Sequence, residues 1–152
     1  MPPVGETMFE LGTDGPSRIL VGIDGTETSM RAGAYAAGLA RRQGSHLIVL
    51  YVASPHPMAA QMATTAAAMM QTQEEVARQL RRTVLEGAAL IGIEAEFVHR
   101  RGNAYRELIA VAAEMRVDAV VVGASMTSGR RFVGSLAGRL VRDATWPITV
   151  VP

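Results

Sequence analysis

One segment of the sequence combines residue types that bind anions. Residues 123–135 read GASMTSGRRFVGS and follow a strongly apolar stretch. Gly134 and Ser135 open a predicted helix, whose first N–H groups and positive dipole end attract negative charge. Arg130 and Arg131 add two guanidinium groups, which bind phosphate oxygens well. The segment is therefore a candidate phosphate site.

The same residues also allow a purely structural interpretation. In this alternative Gly123 makes a tight turn, Ser135 helps to cap the helix, and the two arginines are solvated. Strand–loop–helix junctions of this kind occur in proteins of unrelated function. The residues alone leave both interpretations open.

Asp24 is a second candidate ligand-binding residue. It follows the strand-like segment RILVGI, residues 18–23, and precedes Gly25. A carboxylate at a strand end can bind a ligand, but an aspartate in this position also commonly stabilises a turn. Both roles stay open at this point.

The composition excludes several classes of function. The chain has no cysteine, which rules out thiolate metal sites and a thiol nucleophile. All 15 basic residues are arginine, so the lysine of a P-loop is missing. A net charge of +1 gives little attraction to nucleic acid or to an anionic membrane, and neither partner is expected. His46, His56 and His99 lack the spacing of metal ligands. We therefore expect neither catalytic residues nor a metal bound by the protein alone.

The chain is expected to form one domain over residues 17–152. Residues 1–16 are rich in Pro, Gly and Thr without periodicity, which predicts a flexible N-terminal tail. This tail lacks the features of a signal peptide, and no run of about 20 apolar residues is present for a membrane span. We therefore expect a cytoplasmic protein.

Strand-like and helix-like segments alternate along the domain, which is typical of a parallel sheet built from βαβ units. Helices are predicted at about 27–43, up to about 90, 104–116 and 134–144, the second with an ion pair between Glu74 and Arg78. Strands are predicted at 18–23, 46–52, 93–99, 118–123 and in ITVV near the C-terminus. The polar segment between the fourth strand and the last helix is expected to be a loop.

The burial pattern of the strands predicts their order. The fourth strand is an unbroken apolar run and should be central, whereas the third alternates apolar and charged residues and should lie at an edge. With right-handed crossovers, the predicted order is 3-2-1-4-5, a doubly wound sheet with helices on both faces. A crevice for ligands is then expected where strands 1 and 4 end, at Ile23-Asp24 and Val122-Gly123.

Three segments resemble the universal stress protein family: VGIDGTETS, GASMTSGRRFVGS and the closing WPITVVP. The resemblance spans residues 18–152 and implies a Rossmann-like fold of the adenine-nucleotide alpha-hydrolase type. Nucleotide-binding members carry a glycine, two residues, a second glycine, nine residues, and then glycine with Ser or Thr. This chain retains Gly123 and Gly134-Ser135. Met126 stands in place of the second glycine, and only seven residues separate it from Gly134.

The resemblance also implies a ligand, an adenine nucleotide such as ATP or a cyclic nucleotide, with a divalent metal only as part of the bound nucleotide. The implied contacts are Ile23 and Asp24 beside the adenosine, Val52 at the base, Gly102 near the ribose and Gly123 at the sugar and phosphates. The anion-binding chemistry described above places the phosphates at Gly134 and Ser135, beside Arg130 and Arg131. The resemblance further implies a homodimer through antiparallel pairing of the last strands, which agrees with ITVV being a short apolar edge.

Three functions follow from these observations. The first is a non-enzymatic stress-response module that binds an adenine nucleotide and acts through dimer or partner contacts. The second is a nucleotide-free dimerising interaction protein, which the altered spacing around Met126 favours. The third, a slow ATP hydrolase, has the least support because no lysine for the phosphates and no convincing base can be identified.

Overall fold

The computed structural model describes residues 15–53, 66–127, 130–132 and 134–152. Most of the predicted N-terminal tail, residues 1–14, therefore lies outside the described residues. The helices are α1 (Glu27–Gln43), α2 (Ala66–Ile91), α3 (Ala104–Glu114) and α4 (Ser135–Asp143). The strands are β1 (Arg18–Ile23), β2 (His46–Ala53), β3 (Ala95–Arg101), β4 (Ala119–Gly123), β5 (Ser125–Thr127), β6 (Arg130–Phe132) and β7 (Ile148–Val151). No helix in the described part of the chain is long and apolar enough to span a membrane.

Five strands form a parallel sheet in the order β3-β2-β1-β4-β7. Because β7 is the fifth strand expected from the sequence, the predicted order 3-2-1-4-5 is confirmed. The central strands are buried on both faces, as residues 19–21 of β1 and residues 120–122 of β4 show. Helices α1 and α2 pack on one face of the sheet, and α3 and α4 pack on the other.

The structure differs from the sequence expectations in three places. Strand β3 is the predicted edge strand, but it runs from 95 to 101 rather than from 93 to 99. The expected polar loop contains a short antiparallel pair, β5 with β6. The predicted pair of Glu74 with Arg78 is wrong: Glu74 bonds to Arg101 of β3 at 3.3 Å, because the strand supplies a guanidinium that the helix pattern does not reveal.

Helix α1 lies very close to the sheet because its inward face consists of small residues. Ala32, Ala36 and Ala40 are fully buried. At the start of the helix the separation is so short that a Cβ atom on Gly123 would lie 2.7 Å from the Thr28 carbonyl oxygen. Glycine at the end of β4 is therefore needed for the packing of α1.

We predict that Gly123→Ala destabilises the protein by about 1 to 3 kcal/mol, because the added methyl group overpacks this contact. The matched control is Gly22→Ala in β1, where the nearest atom to a new Cβ is Leu108 Cδ1 at 3.4 Å, an ordinary contact. Urea unfolding of the three proteins measures the difference. Equal stability of Gly123→Ala and the parent would contradict the close approach.

Asp118 joins the starts of β1 and β4. Its Oδ2 accepts hydrogen bonds from the backbone N–H groups of Ser17, at 3.0 Å, and Arg18, at 2.9 Å. We predict that Asp118→Ala lowers the free energy of unfolding by about 1 to 2 kcal/mol, since both bonds to a charged acceptor are lost at an exposed position. Asp118→Asn retains a side-chain oxygen acceptor and should cost less. Thermal unfolding of the two variants would reveal this order, and an equal loss would show that charge alone is responsible.

Candidate functional site

A cavity of about 610 Å³ opens at the carboxyl ends of β1 and β4, where the predicted crevice lies. The chain leaves β1 toward α1 on one face of the sheet, and it leaves β4 toward α4 on the other. This divergence leaves space above the strand ends. The lining residues come from β1, β2 and β4, from the residues that directly follow β1 and β4, and from the N-terminal parts of α1, α3 and α4: Gly22, Ile23, Asp24, Thr26, Glu27, Thr28, Ser29, Leu50, Tyr51, Val52, Ala104, Leu108, Val122, Gly123, Ala124, Leu136 and Ala137.

The turn between β1 and α1 forms one wall of the cavity and is held by side-chain hydrogen bonds. Asp24 Oδ1 accepts from the Thr26 N–H at 2.9 Å and from its hydroxyl at 2.6 Å. Thr26 is the N-cap of α1, and its Oγ1 accepts from the Ser29 N–H at 3.3 Å. Gly25 adopts φ 87°, which favours glycine. The turn-stabilising role considered for Asp24 is therefore present.

Tyr51 lines the cavity from β2 and is almost completely buried. Burial raises the pKa of its hydroxyl, and the nearby Asp24 carboxylate raises it further, whereas Arg101 acts in the opposite direction. Because the unperturbed pKa of tyrosine is already about 10, this hydroxyl stays protonated at neutral pH. It can donate a hydrogen bond into the cavity wall or to a ligand.

The start of α4 forms the opposite wall. Gly134 is the N-cap with φ −65° and ψ 172°, and as a glycine it offers no capping side chain. The first helical bond runs from the Gly138 N–H to the Gly134 carbonyl at 2.8 Å. The N–H groups before Gly138 therefore have no acceptor within the helix. Leu136 and Ala137, from this first turn, line the cavity.

Four of the predicted site residues line the cavity together: Ile23, Asp24, Val52 and Gly123. Gly134 and Ser135 are not among the lining residues, but they directly precede Leu136.

Gly102 does not line the cavity. It adopts φ 132° at the end of β3 and leads through Asn103, the N-cap of α3, to the lining residue Ala104.

Arg130 and Arg131 lie on β6, where the structure describes their backbone. Arg131 pairs in register with Met126 on β5. Met126, which replaces the second glycine of the family pattern, therefore belongs to an extended strand. An extended backbone accommodates methionine without difficulty.

Sequence reasoning missed the hydroxyl residues at the start of α1 and the ring on β2. Thr28 and Ser29 are buried lining residues, and Thr26 three positions before Ser29 is a recognisable N-cap signal. Tyr51 gave no comparable signal, because it occupies an apolar run in which a tyrosine is unremarkable. In the described part of the chain no group of three His, Cys, Asp or Glu side chains could hold a metal ion.

Comparisons with known proteins agree with this architecture. The universal stress protein YxiE of Bacillus subtilis is 26% identical over 145 residues, which cover 89% of this chain and 98% of YxiE. A universal stress protein solved in complex with cAMP superposes with a TM-score of 0.68 at 22% identity, over 90% of this chain and 97% of the other. An Arabidopsis thaliana universal stress protein family protein with AMP bound has a TM-score of 0.67 at 16% identity, over 90% and 91%.

At these identities the two solved structures show a shared fold. The model of the universal stress protein family matches residues 16–152 of this chain. This range contains every described strand and helix from β1 to β7. The chain therefore belongs to the universal stress protein family.

Proposed function

We propose that this protein is a non-enzymatic, cytoplasmic stress-response module that binds an adenine nucleotide in the crevice between β1 and β4. A single domain over residues 17–152 carries this function, and nucleotide occupancy alters dimer or partner contacts. The observation that carries the proposal is the cavity of about 610 Å³ above the divergent strand ends. Its volume lies within the range of about 300 to 1,000 Å³ typical of small-molecule sites.

The charge distribution around the cavity favours one orientation of the nucleotide. Asp24 lies on the wall formed by the β1–α1 turn and would repel phosphate groups, whereas the Glu27 carboxylate on the same wall is paired with Arg31 at 2.9 Å. The Asp24 Oδ2 atom makes no hydrogen bond with a described residue and is available to ribose hydroxyls. The start of α4 on the other side offers N–H donors that suit phosphate oxygens. We therefore place the adenosine near Ile23, Asp24 and Val52.

The phosphates then lie at Gly134 and Ser135, with Arg130 and Arg131 on the segment that leads into α4. In a chain without lysine, these arginines are the nearest cations that precede the helix start in the sequence. Any divalent metal would enter with the nucleotide. The relatives solved with cAMP and with AMP support an adenine nucleotide as the ligand class.

A nucleotide-free interaction protein is the second candidate. It is favoured by Met126 on β5 and by the seven residues between Met126 and Gly134, which alter the phosphate loop of nucleotide-binding members. Mass spectrometry of small molecules released from freshly purified, denatured protein separates the two functions. Release of an adenine nucleotide supports the first, and nucleotide-free protein that also fails to bind one supports the second.

We predict that Gly134→Val weakens nucleotide binding by about 1 to 3 kcal/mol, because a branched side chain hinders approach of phosphate oxygens to the helix N–H groups. Titration calorimetry with ATP and with cAMP measures the affinity of the ligand-free protein. The matched control is Gly87→Val on α2, where no atom lies within 4 Å of an added Cβ and binding should be unchanged. Equal affinities for all three proteins would place the phosphates elsewhere.

We also propose a homodimer through antiparallel pairing of two β7 strands. The Pro147 carbonyl accepts a hydrogen bond from Val120 of β4, and the Val151 carbonyl accepts one from Ala124, the residue after β4, so the backbone of Val150 points away from the sheet. The four residues of β7 are all partly exposed. An apolar edge strand with free backbone groups readily pairs with another strand.

We predict that Val150→Pro shifts the protein from dimer to monomer, since proline removes an outward N–H donor without removing a hydrogen bond to β4. Light scattering at micromolar concentration should give twice the chain mass of 16.2 kDa for the parent and about the chain mass for the variant. Val141→Thr on the exposed face of α4 is the control and should stay dimeric. A monomeric parent would refute the dimer.

A further inference from the structure

A second cavity, of about 310 Å³, lies between α2 and β3. It is lined by Glu74, Ala77, Arg78, Arg81, Phe97 and His99, which we call the α2–β3 groove. None of these residues lines the crevice between β1 and β4. The two cavities are therefore separate spaces with different walls.

The rim of the α2–β3 groove carries an excess of positive charge. Arg78 and Arg81 are exposed and lie three residues apart on α2, so they project from the same side of the helix. Neither forms a hydrogen bond or ion pair with a residue in the described part of the chain. The carboxylate of the groove, Glu74, is instead bound to Arg101 at 3.3 Å. Two guanidinium groups thus remain available to an anion.

The floor of the groove consists of aromatic rings from β3. Phe97 and His99 point to the same face of the strand, and the His99 ring packs on Tyr51 with centroids 5.3 Å apart and an angle of 32°. Burial lowers the pKa of His99, and the Arg101 charge lowers it further, whereas Glu74 acts in the opposite direction. The imidazole is accordingly neutral at pH 7 and presents a ring surface rather than a third cation.

We propose that the α2–β3 groove is a second binding site for a small organic anion. Arg78 and Arg81 bind its carboxylate or phosphate group, and an apolar or ring portion packs on Phe97 and His99. Paired guanidinium groups suit the oxygens of both kinds of anion. The aromatic floor favours a ligand with a carbon skeleton over a simple inorganic ion. This site does not depend on nucleotide binding in the crevice.

The probes are phenyl phosphate, benzoate and inorganic phosphate, titrated into the full-length protein at low ionic strength, where exposed charges are least screened. NMR signals of the His99 ring and of the Phe97 amide report on the groove. The Ser135 and Leu136 amides report on the start of α4 in the same spectra. We expect phenyl phosphate to shift the groove signals at lower concentration than inorganic phosphate. Benzoate tests whether a carboxylate serves equally well.

Arg78→Gln and Arg81→Gln should each weaken phenyl phosphate binding at the groove by about five- to tenfold, because a charged hydrogen-bond donor is lost. Arg82→Gln removes the same charge from the same helix outside the groove, and should change the affinity less than twofold. Glutamine preserves helix propensity, and circular dichroism confirms an intact fold.

Three results would overturn the proposal. The first is His99 signals that do not move with any probe. The second is equal weakening by all three glutamine variants, which would indicate general charge attraction. The third is a response confined to Ser135 and Leu136, which would place anion binding at α4 alone and would leave the proposed nucleotide site standing.

Discussion

The contact between the end of β4 and the first turn of α1 determines the geometry of the crevice. A Cβ atom at position 123 would lie 2.7 Å from the Thr28 carbonyl oxygen and 3.0 Å from the Ser29 nitrogen. The helix must therefore begin almost on top of the strand ends, and only three residues separate β1 from α1. Because α1 occupies one side of the strand ends so closely, the free space lies on the other side, toward α4.

The short connection explains why Asp24 can serve the fold and a ligand together. One carboxylate oxygen, Oδ1, accepts both hydrogen bonds from Thr26 and thereby holds the turn. The side chain remains exposed at the cavity, and its second oxygen, Oδ2, makes no hydrogen bond with a described residue. The structural and ligand-binding roles that the sequence leaves as alternatives are thus compatible, because they use different atoms of one side chain. The hydrogen bonds to Thr26 are observed, and the contact with a ligand is proposed.

Much of the architecture could be predicted because the pattern of apolar and charged residues along each strand indicates how far that strand is buried. The unbroken apolar run of β4 indicates a central strand, and the alternation around Phe97 indicates an edge, so handedness leaves one order. The features that were missed depend on neighbours distant in the sequence. The spacing along the helix makes Arg78 a favourable partner for Glu74. The observed ion pair of Glu74 is instead with Arg101, which lies on β3. The short β5–β6 pair was missed for a different reason, because residues 123–135 are rich in Gly, Ser, Thr and Arg and resemble a loop.

Part of the candidate site could likewise be predicted from the order of the strands. Ile23, Asp24 and Gly123 occupy strand ends, so topology alone brings them to one edge of the sheet. Tyr51 could not be recognised, because its significance comes from its register with His99 on β3.

That register brings the walls of the two cavities into contact, since Tyr51 lines the crevice and its ring packs on the ring of His99, which lines the α2–β3 groove. Contact alone does not couple two sites, because coupling requires ligands that bind differently to alternative arrangements of the shared element. Tyr51 is buried and His99 is half-buried, and their rings lie on adjacent strands with centroids 5.3 Å apart, so a shift of one ring changes the packing of the other. Ligands that favour the same ring positions would therefore bind cooperatively, and ligands that favour different positions would compete without touching.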